Sequence, residues 1–202
     1  MLLALALSVL AADGGADAGL PLDAGVRVDA GVALGPCREA QDICFSPGGN
    51  CDMKVVSLVD RSKNSLDILI YSINRPSIVD AILRAKARGV VVRVVADATQ
   101  IGEPKEQVQL QRLLAVGIPM RRDTHQGSMH MKVIVVDTKE FLTGSFNFTN
   151  NASENNDENL LIWDCPRNAM LFKLRFEMLW SKYKDASDSV LKGADGGVDA
   201  GR

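Results

Sequence analysis

The chain has 202 residues, 47% apolar and 24% charged, enough for one sizeable core and too short for two comfortable ones. Its formal charge of −2 excludes an overall nucleic-acid-binding signature, but the acid sits at the ends. Residues 1–36 carry four Asp against one Arg and residues 185–202 four Asp against two cations, which leaves +3 on 37–184, a balance that suits a phosphate-bearing substrate among much else.

Residues 1–12 (MLLALALSVLAA) form an apolar run ending in small residues, the pattern of a secretory signal peptide cleaved after Ala11 or Ala12. No basic residue lies near Met1, so an uncleaved anchor or a different true start stays open; the run is short for a membrane span. A secreted or periplasmic protein without a transmembrane span in its mature form is expected. Residues 13–36 repeat Asp-Ala-Gly with interspersed Gly and Pro, which cannot bury enough apolar surface to offset ordering, so a disordered linker is expected. The tail over 185–202 has the same character, and the folded domain is placed at 37–184.

Cys37, Cys44 and Cys51 are spaced by seven and Cys165 lies far downstream. An even count in an exported chain points to disulfides, with all three connectivities open. A zinc site would bring a C-x2-C pair, which is missing, and buried thiols are the plain alternative. A bridge from the 37–51 segment to Cys165 would tie the start of the domain to its last strand.

Within the domain, helices and strands alternate. Apolar spacing predicts a helix over 52–63, then a strand over 65–72 (SLDILIYS). Ile78, Val79, Ile82 and Leu83 mark a helix that Gly89 stops, and 90–96 (VVVRVVA) reads as a strand buried on both faces. A helix from Pro104 to about residue 116 ends at Gly117, before a short strand over 118–122. Strands follow over 131–136 and 139–144 around a tight turn at Asp137-Thr138, then over 159–163, with a terminal helix over 167–183. The alternation predicts an α/β fold, one mixed β-sheet flanked by helices in a single domain. No internal repeat is visible.

The chemistry concentrates between 130 and 159. His130 and Lys132 lie two apart at the start of a strand, so both side chains share a face. Ser145 and Asn147 are likewise two apart just past the next strand, and Glu158 opens the one after. Pairing of the two strands as a hairpin would converge these groups at one sheet end. Lys supplies fixed positive charge, and Asn and Ser hydrogen bonds, around a phosphate. His is the natural nucleophile or acid–base near neutral pH, and a carboxylate can fix its tautomer. No carboxylate–histidine cluster suited to a catalytic metal is visible, so chemistry without metal or cofactor is expected. Arg121 and Arg122 read as a solvated pair or as the lining of a path for a charged strand, and His125 as a loop residue near the cleft mouth.

The motif His130-Met131-Lys132 to Asp137, followed by Gly144-Ser145-Phe146-Asn147 and by Asn156-Asp157-Glu158-Asn159, resembles the phospholipase D superfamily. The stretch T-G-S-F-N-F-T, C-F-S-P at 44–47 and the run from Asp67 to Asp97 are similar to its small single-motif bacterial nucleases. The resemblance implies that His130 attacks phosphorus to give a phosphohistidine while a second His130 protonates the leaving oxygen. Lys132 and Asn147 would bind phosphate oxygens, Ser145 would support the site and Glu158 would orient a histidine. Asp137, seven residues from His130, would organise the turn, with Gly144 part of the motif. The chain has two histidines and only one H-x-K motif, so a homodimer sharing one site across a two-fold axis is expected. A non-specific endonuclease acting on DNA or RNA is the preferred reading. The alternatives are a phospholipase acting on a lipid such as cardiolipin and a catalytically silent nucleic-acid-binding module.

Overall fold

The structure is a computed structural model that describes residues 37, 38, 40–187 and 190. The expected leader over 1–12, the linker over 13–36 and the tail beyond 190 lie outside the described residues. The strands are β1 (Ala40–Ser46), β2 (Ser65–Ile70), β3 (Val91–Ala96), β4 (Met120–Arg122), β5 (Lys132–Val136), β6 (Glu140–Gly144), β7 (Glu158–Asp164) and β8 (Lys184–Asp185). They form one sheet in the order β1-β7-β6-β5-β2-β3-β4-β8. The β2–β3 and β3–β4 pairs are parallel and the others antiparallel. The helices are α1 (Cys51–Asp60), α2 (Pro76–Ala87), α3 (Pro104–Ala115), α4 (Asn150–Glu154) and α5 (Pro166–Lys182). This is the mixed sheet flanked by helices that the alternating pattern predicts.

The strand period divides the core in two. Leu66, Ile68 and Ile70 of β2 pack with Val55, Leu58, Ile78, Ile82 and Leu110 of α1, α2 and α3. Leu69 points the other way and packs with Val95, Val133 and Val135 against Phe176 and Leu179 of α5. Helices on both faces explain why β2, β3 and β5 are almost continuously apolar. Among the described residues no helix is long and apolar enough to cross a membrane.

Both disulfides form: Cys37–Cys165 and Cys44–Cys51. The first joins residues 128 apart, binding the start of the domain to the residue before α5. Chain-entropy arguments give such a closure about 4–5 kcal/mol against the unfolded chain.

Three elements escape the sequence pattern. β1 is an edge strand paired only with β7, with Ile43 and Phe45 exposed and Asp42 held by Lys54 at 2.6 Å, so no clean alternation marks it. α4 has five residues, too few for a helical period, and starts where the Ala152 N–H donates to the Thr149 hydroxyl at 3.1 Å. The described residues also extend past 184. Lys184 and Asp185 pair with β4, and Ala186 and Val190 are fully buried in the α1–α3 core.

On the α5 face, the Asp67 carboxylate of β2 is 2% exposed and receives Arg93 Nε at 2.8 Å and the Lys173 ammonium of α5. Arg93 also reaches Glu177 at 2.7 Å and lies 4.6 Å from the Phe176 ring centroid. Hydrogen bonding from Arg93 holds the Glu177 carboxyl below its usual range. One buried carboxylate therefore docks α5 onto the sheet. Asp67→Ala is expected to cost about 3–5 kcal/mol, read as a lower urea midpoint, because two cations lose their interior partner. A loss under about 1 kcal/mol would assign the network to solvated surface pairing.

Candidate active site

β2, β3 and β4 are parallel and end at one edge of the sheet, where β5 and β7 begin and β6 finishes. Loops leaving the carboxyl ends of parallel strands gather here, as at the ligand crevice of open α/β sheets. His130 and Lys132 enter this edge together. His130 is exposed, whereas Lys132 is only 4% exposed and faces Ile70 across the β2–β5 ladder. The ammonium lies 3.1 Å from His130 Nδ1 and donates to the His130 carbonyl at 2.8 Å. With Lys132 donating to Nδ1, the ring hydrogen belongs on Nε2.

Tyr71, the residue after β2, completes this group. Its ring is 4.5 Å from the imidazole and 4.8 Å from the Lys132 ammonium, and the Met131 carbonyl accepts its N–H at 3.0 Å. Burial pushes the Lys132 pKa down to about 8, against the opposing pull of the Glu158 and Asp97 charges. Asp97, 1% exposed just past β3, accepts the Met129 N–H at 2.9 Å and so fixes the backbone one residue before His130. Its other oxygen accepts the Thr99 and Gln100 N–H groups. Neither residue is singled out in the sequence as part of the site. The signal for Asp97 is an acidic residue closing an apolar strand before a Thr, where such side chains cap turns.

The S-F-N-F-T stretch alternates in period two. Phe146 and Phe148 are fully buried, while Ser145 is exposed and Asn147 half-buried on the opposite side. The Phe148 N–H donates to the Ser72 carbonyl at 3.1 Å, and Ile73 bridges Phe148. Asn147 is thereby fixed beside the β2 end, and its Oδ1 is buried without a hydrogen-bond partner. The Ser145 hydroxyl accepts the Asn159 N–H at 3.0 Å, and the Ser145 N–H donates to the Asn159 carbonyl at 3.1 Å. Gly144 permits this approach: at φ +155° its missing Cβ would collide with the Asn159 carbonyl oxygen.

Glu158 is half-buried and accepts from Asn156 Nδ2 at 3.0 Å. It lines a shallow hollow with Phe45, Ser46 and Ser145, so the C-F-S-P stretch borders the site. Among the described residues no hydrogen bond joins Glu158 to His130, whose imidazole instead meets Lys132 and Tyr71. Asp137 sits at the far end of β5, with φ 53°, and accepts the N–H groups of Lys63, Asn64 and Ser65 at 2.7–3.0 Å. Arg121 is spoken for: it lies 4.5 Å from the Trp180 ring centroid and donates to the carbonyls of Trp180 and Tyr183. Arg122 Nε is buried without an acceptor. His125 Nδ1 is 3.0 Å from the buried Asp123 carboxylate and 3.2 Å from the Tyr183 hydroxyl, which ties it to the loop rather than to His130. Among the described residues no three His, Cys, Asp or Glu side chains are grouped to hold a metal ion.

Residues 55–180 match the family described as "Cardiolipin synthase, PLD-like domain". The chain is 35% identical over 134 residues to the mitochondrial cardiolipin hydrolase of Xenopus tropicalis, covering 66% of this chain and 63% of that protein. It is 35% identical over 127 residues to the phospholipase D of Rickettsia felis, covering 62% of each. The chain thus spans less than two-thirds of the length of these curated relatives. Among solved structures, Nuc from Salmonella typhimurium, a phospholipase D family member, aligns with a TM-score of 0.69 at 34% identity, over 71% of this chain and 95% of that one. Sheet, motif and sequence therefore agree, and the chain belongs to the phospholipase D-like family.

Proposed function

We propose that this protein is a metal-independent phosphodiesterase, an exported endonuclease that cleaves DNA or RNA through a phosphohistidine at a homodimer interface. The observation that carries the reading is the exposed His130 imidazole held against the buried Lys132 ammonium at the open sheet edge. Such an ammonium supplies charge where a phosphate would sit, in a site of low dielectric. The two disulfides favour an oxidising compartment.

In this reading His130 Nε2 attacks phosphorus, a P–N bond forms, and the bond to the leaving oxygen breaks. His130 of the partner subunit gives that oxygen its proton, then takes one from the water that displaces the phosphate from nitrogen. The two roles need different protonation states. The proton donor is an imidazolium, with hydrogen on both nitrogens, and is left as neutral imidazole when its Nε2 proton passes to the leaving oxygen. The attacker needs Nε2 bare and Nδ1–H held by an acceptor. Glu158 of one protomer has no bond to its own His130, and we assign it to the imidazole across the two-fold axis. Lys132 and Asn147 bind phosphate oxygens from both halves, Ser145 braces the strand ends through Asn159, and Asp137 with Gly144 shapes the hairpin.

The names of the relatives support a second reading, hydrolysis of phospholipids such as cardiolipin. Plasmid DNA and cardiolipin vesicles, assayed side by side, separate the two: cleavage of lipid alone overturns the nuclease.

Three outcomes are expected. His130→Ala lowers turnover at least about a thousandfold without moving the urea midpoint, and substantial residual turnover would remove the assigned nucleophile. Lys132 is charged below its pKa of about 8 and loses its proton above it. The kcat/KM of the free enzyme therefore falls as pH rises through that value, and a profile flat to about pH 10 contradicts the charge role. Turnover persists in excess EDTA, because Lys132 carries the charge; complete loss restored by a divalent ion would count against it.

A further inference from the structure

One polar cleft reaches from this site toward α3. It has a volume of about 270 Å³ and is lined by Tyr71, whose ring meets the His130 imidazole, and by Asn147. The rest of its wall includes Gln100, Thr149, Asn151 and Lys105 of α3. The wall is amides, hydroxyls and one cation, with no carboxylate and no aliphatic side chain.

Most of these groups are engaged, and two are not. Gln100 Nε2 donates to the Tyr71 hydroxyl at 3.2 Å and Asn151 Oδ1 accepts from Asn155 at 3.0 Å. Glu106, buried behind the wall, accepts from Ser72, from the Ile73 N–H and from Asn74, and burial pushes its carboxyl up. Its oxygens are thus turned to those three donors. Asn147 keeps a buried oxygen with no partner, and Lys105 is exposed with no ion pair among the described residues. As oriented, Asn147 accepts from a hydroxyl or a base N–H; turned over, its NH2 meets a phosphate oxygen. A second hollow of about 400 Å³ shares Ser72, Asn74, Gln100 and Lys105 with the cleft and adds Glu103, Pro104 and Glu106, so Lys105 stands where the two meet.

We propose that this cleft is the subsite for the nucleotide next to the scissile phosphate, with Lys105 pairing to the neighbouring phosphate of a polynucleotide strand. The inference rests on the phosphodiesterase reading above and narrows its substrate. An acyl chain would find no apolar wall here, whereas a sugar–phosphate unit finds hydrogen-bonding groups and a counter-charge. Lys105 is a specificity-determining residue, outside the contact made with the reacting phosphorus.

The test compares full-length wild type with Lys105→Ala and Lys105→Glu on three probes. These are a single-stranded oligodeoxynucleotide, bis(p-nitrophenyl) phosphate (a diester with no second phosphate) and cardiolipin vesicles. Lys105→Glu should lower kcat/KM for the oligonucleotide relative to the small diester by at least about tenfold, chiefly through KM, with Lys105→Ala intermediate. The slope of log KM against log salt should fall by about one, for one lost phosphate contact. A ratio within about twofold of wild type for both variants overturns the subsite while leaving the phosphodiesterase standing. Wild type that turns over the small diester and the vesicles but not the oligonucleotide overturns the substrate assignment. Wild type inert on all three overturns both readings together.

Discussion

An ammonium buried without a hydrogen-bonded carboxylate is expensive, and Lys132 is one. It is 4% exposed, and its partners are the His130 carbonyl, the His130 ring and the face of Tyr71. Burial pushes its pKa down to about 8, and the charges of Glu158 and Asp97 offset the desolvation only in part. A fold keeps such a group when a ligand supplies the missing charge. The phosphate that completes the pairing in our reading would also return Lys132 to its fully protonated state, so the site is poised for an anion before one arrives.

The contrast with Asp67 on the other face is informative. There two cations converge on one buried carboxylate, with Glu177 completing the set, and the charges cancel within the protein. That network docks a helix and has no acceptor left to satisfy. At Lys132 cancellation is withheld, and the neighbouring chain is braced instead. Asp97 holds the backbone before His130, Phe146 and Phe148 hold the segment carrying Asn147, and Asn159 ties Ser145 to β7. Asp97 and the two phenylalanines act from the buried interior, whereas the Ser145–Asn159 pair lies at the surface.

Much of this is legible in the chain because it follows short-range rules. Period two places His130 with Lys132 and Ser145 with Asn147, and the tight turn at Asp137-Thr138 brings the two pairs to one sheet edge. The continuous apolar runs of β2, β3 and β5 announce a sheet covered on both faces. What is not legible depends on partners distant in sequence. β1 exists because β7 is there to pair with it, and its own pattern carries an acid and two exposed apolar residues. Ala186 and Val190 are ordered by the α1–α3 core, not by their Asp-rich neighbours. Tyr71 reads as the end of a strand, and only the register of β2 against β5 brings its ring to the imidazole. Arg121 looks like a free surface cation until α5 supplies the Trp180 ring and carbonyls to hold it.

The same distinction bears on the shared site we propose. Among the described residues, the groups that meet the His130 ring are the Lys132 ammonium and the Tyr71 ring. That environment favours hydrogen on Nε2, whereas attack on phosphorus needs Nε2 bare. In the dimer we propose, the missing acceptor is the Glu158 of a second copy, which within one chain has no hydrogen bond to His130 among the described residues. A single phosphate bound between the copies would then break the symmetry: the imidazole with hydrogen on Nδ1 and a bare Nε2 attacks, and the other, protonated on both nitrogens, is the acid.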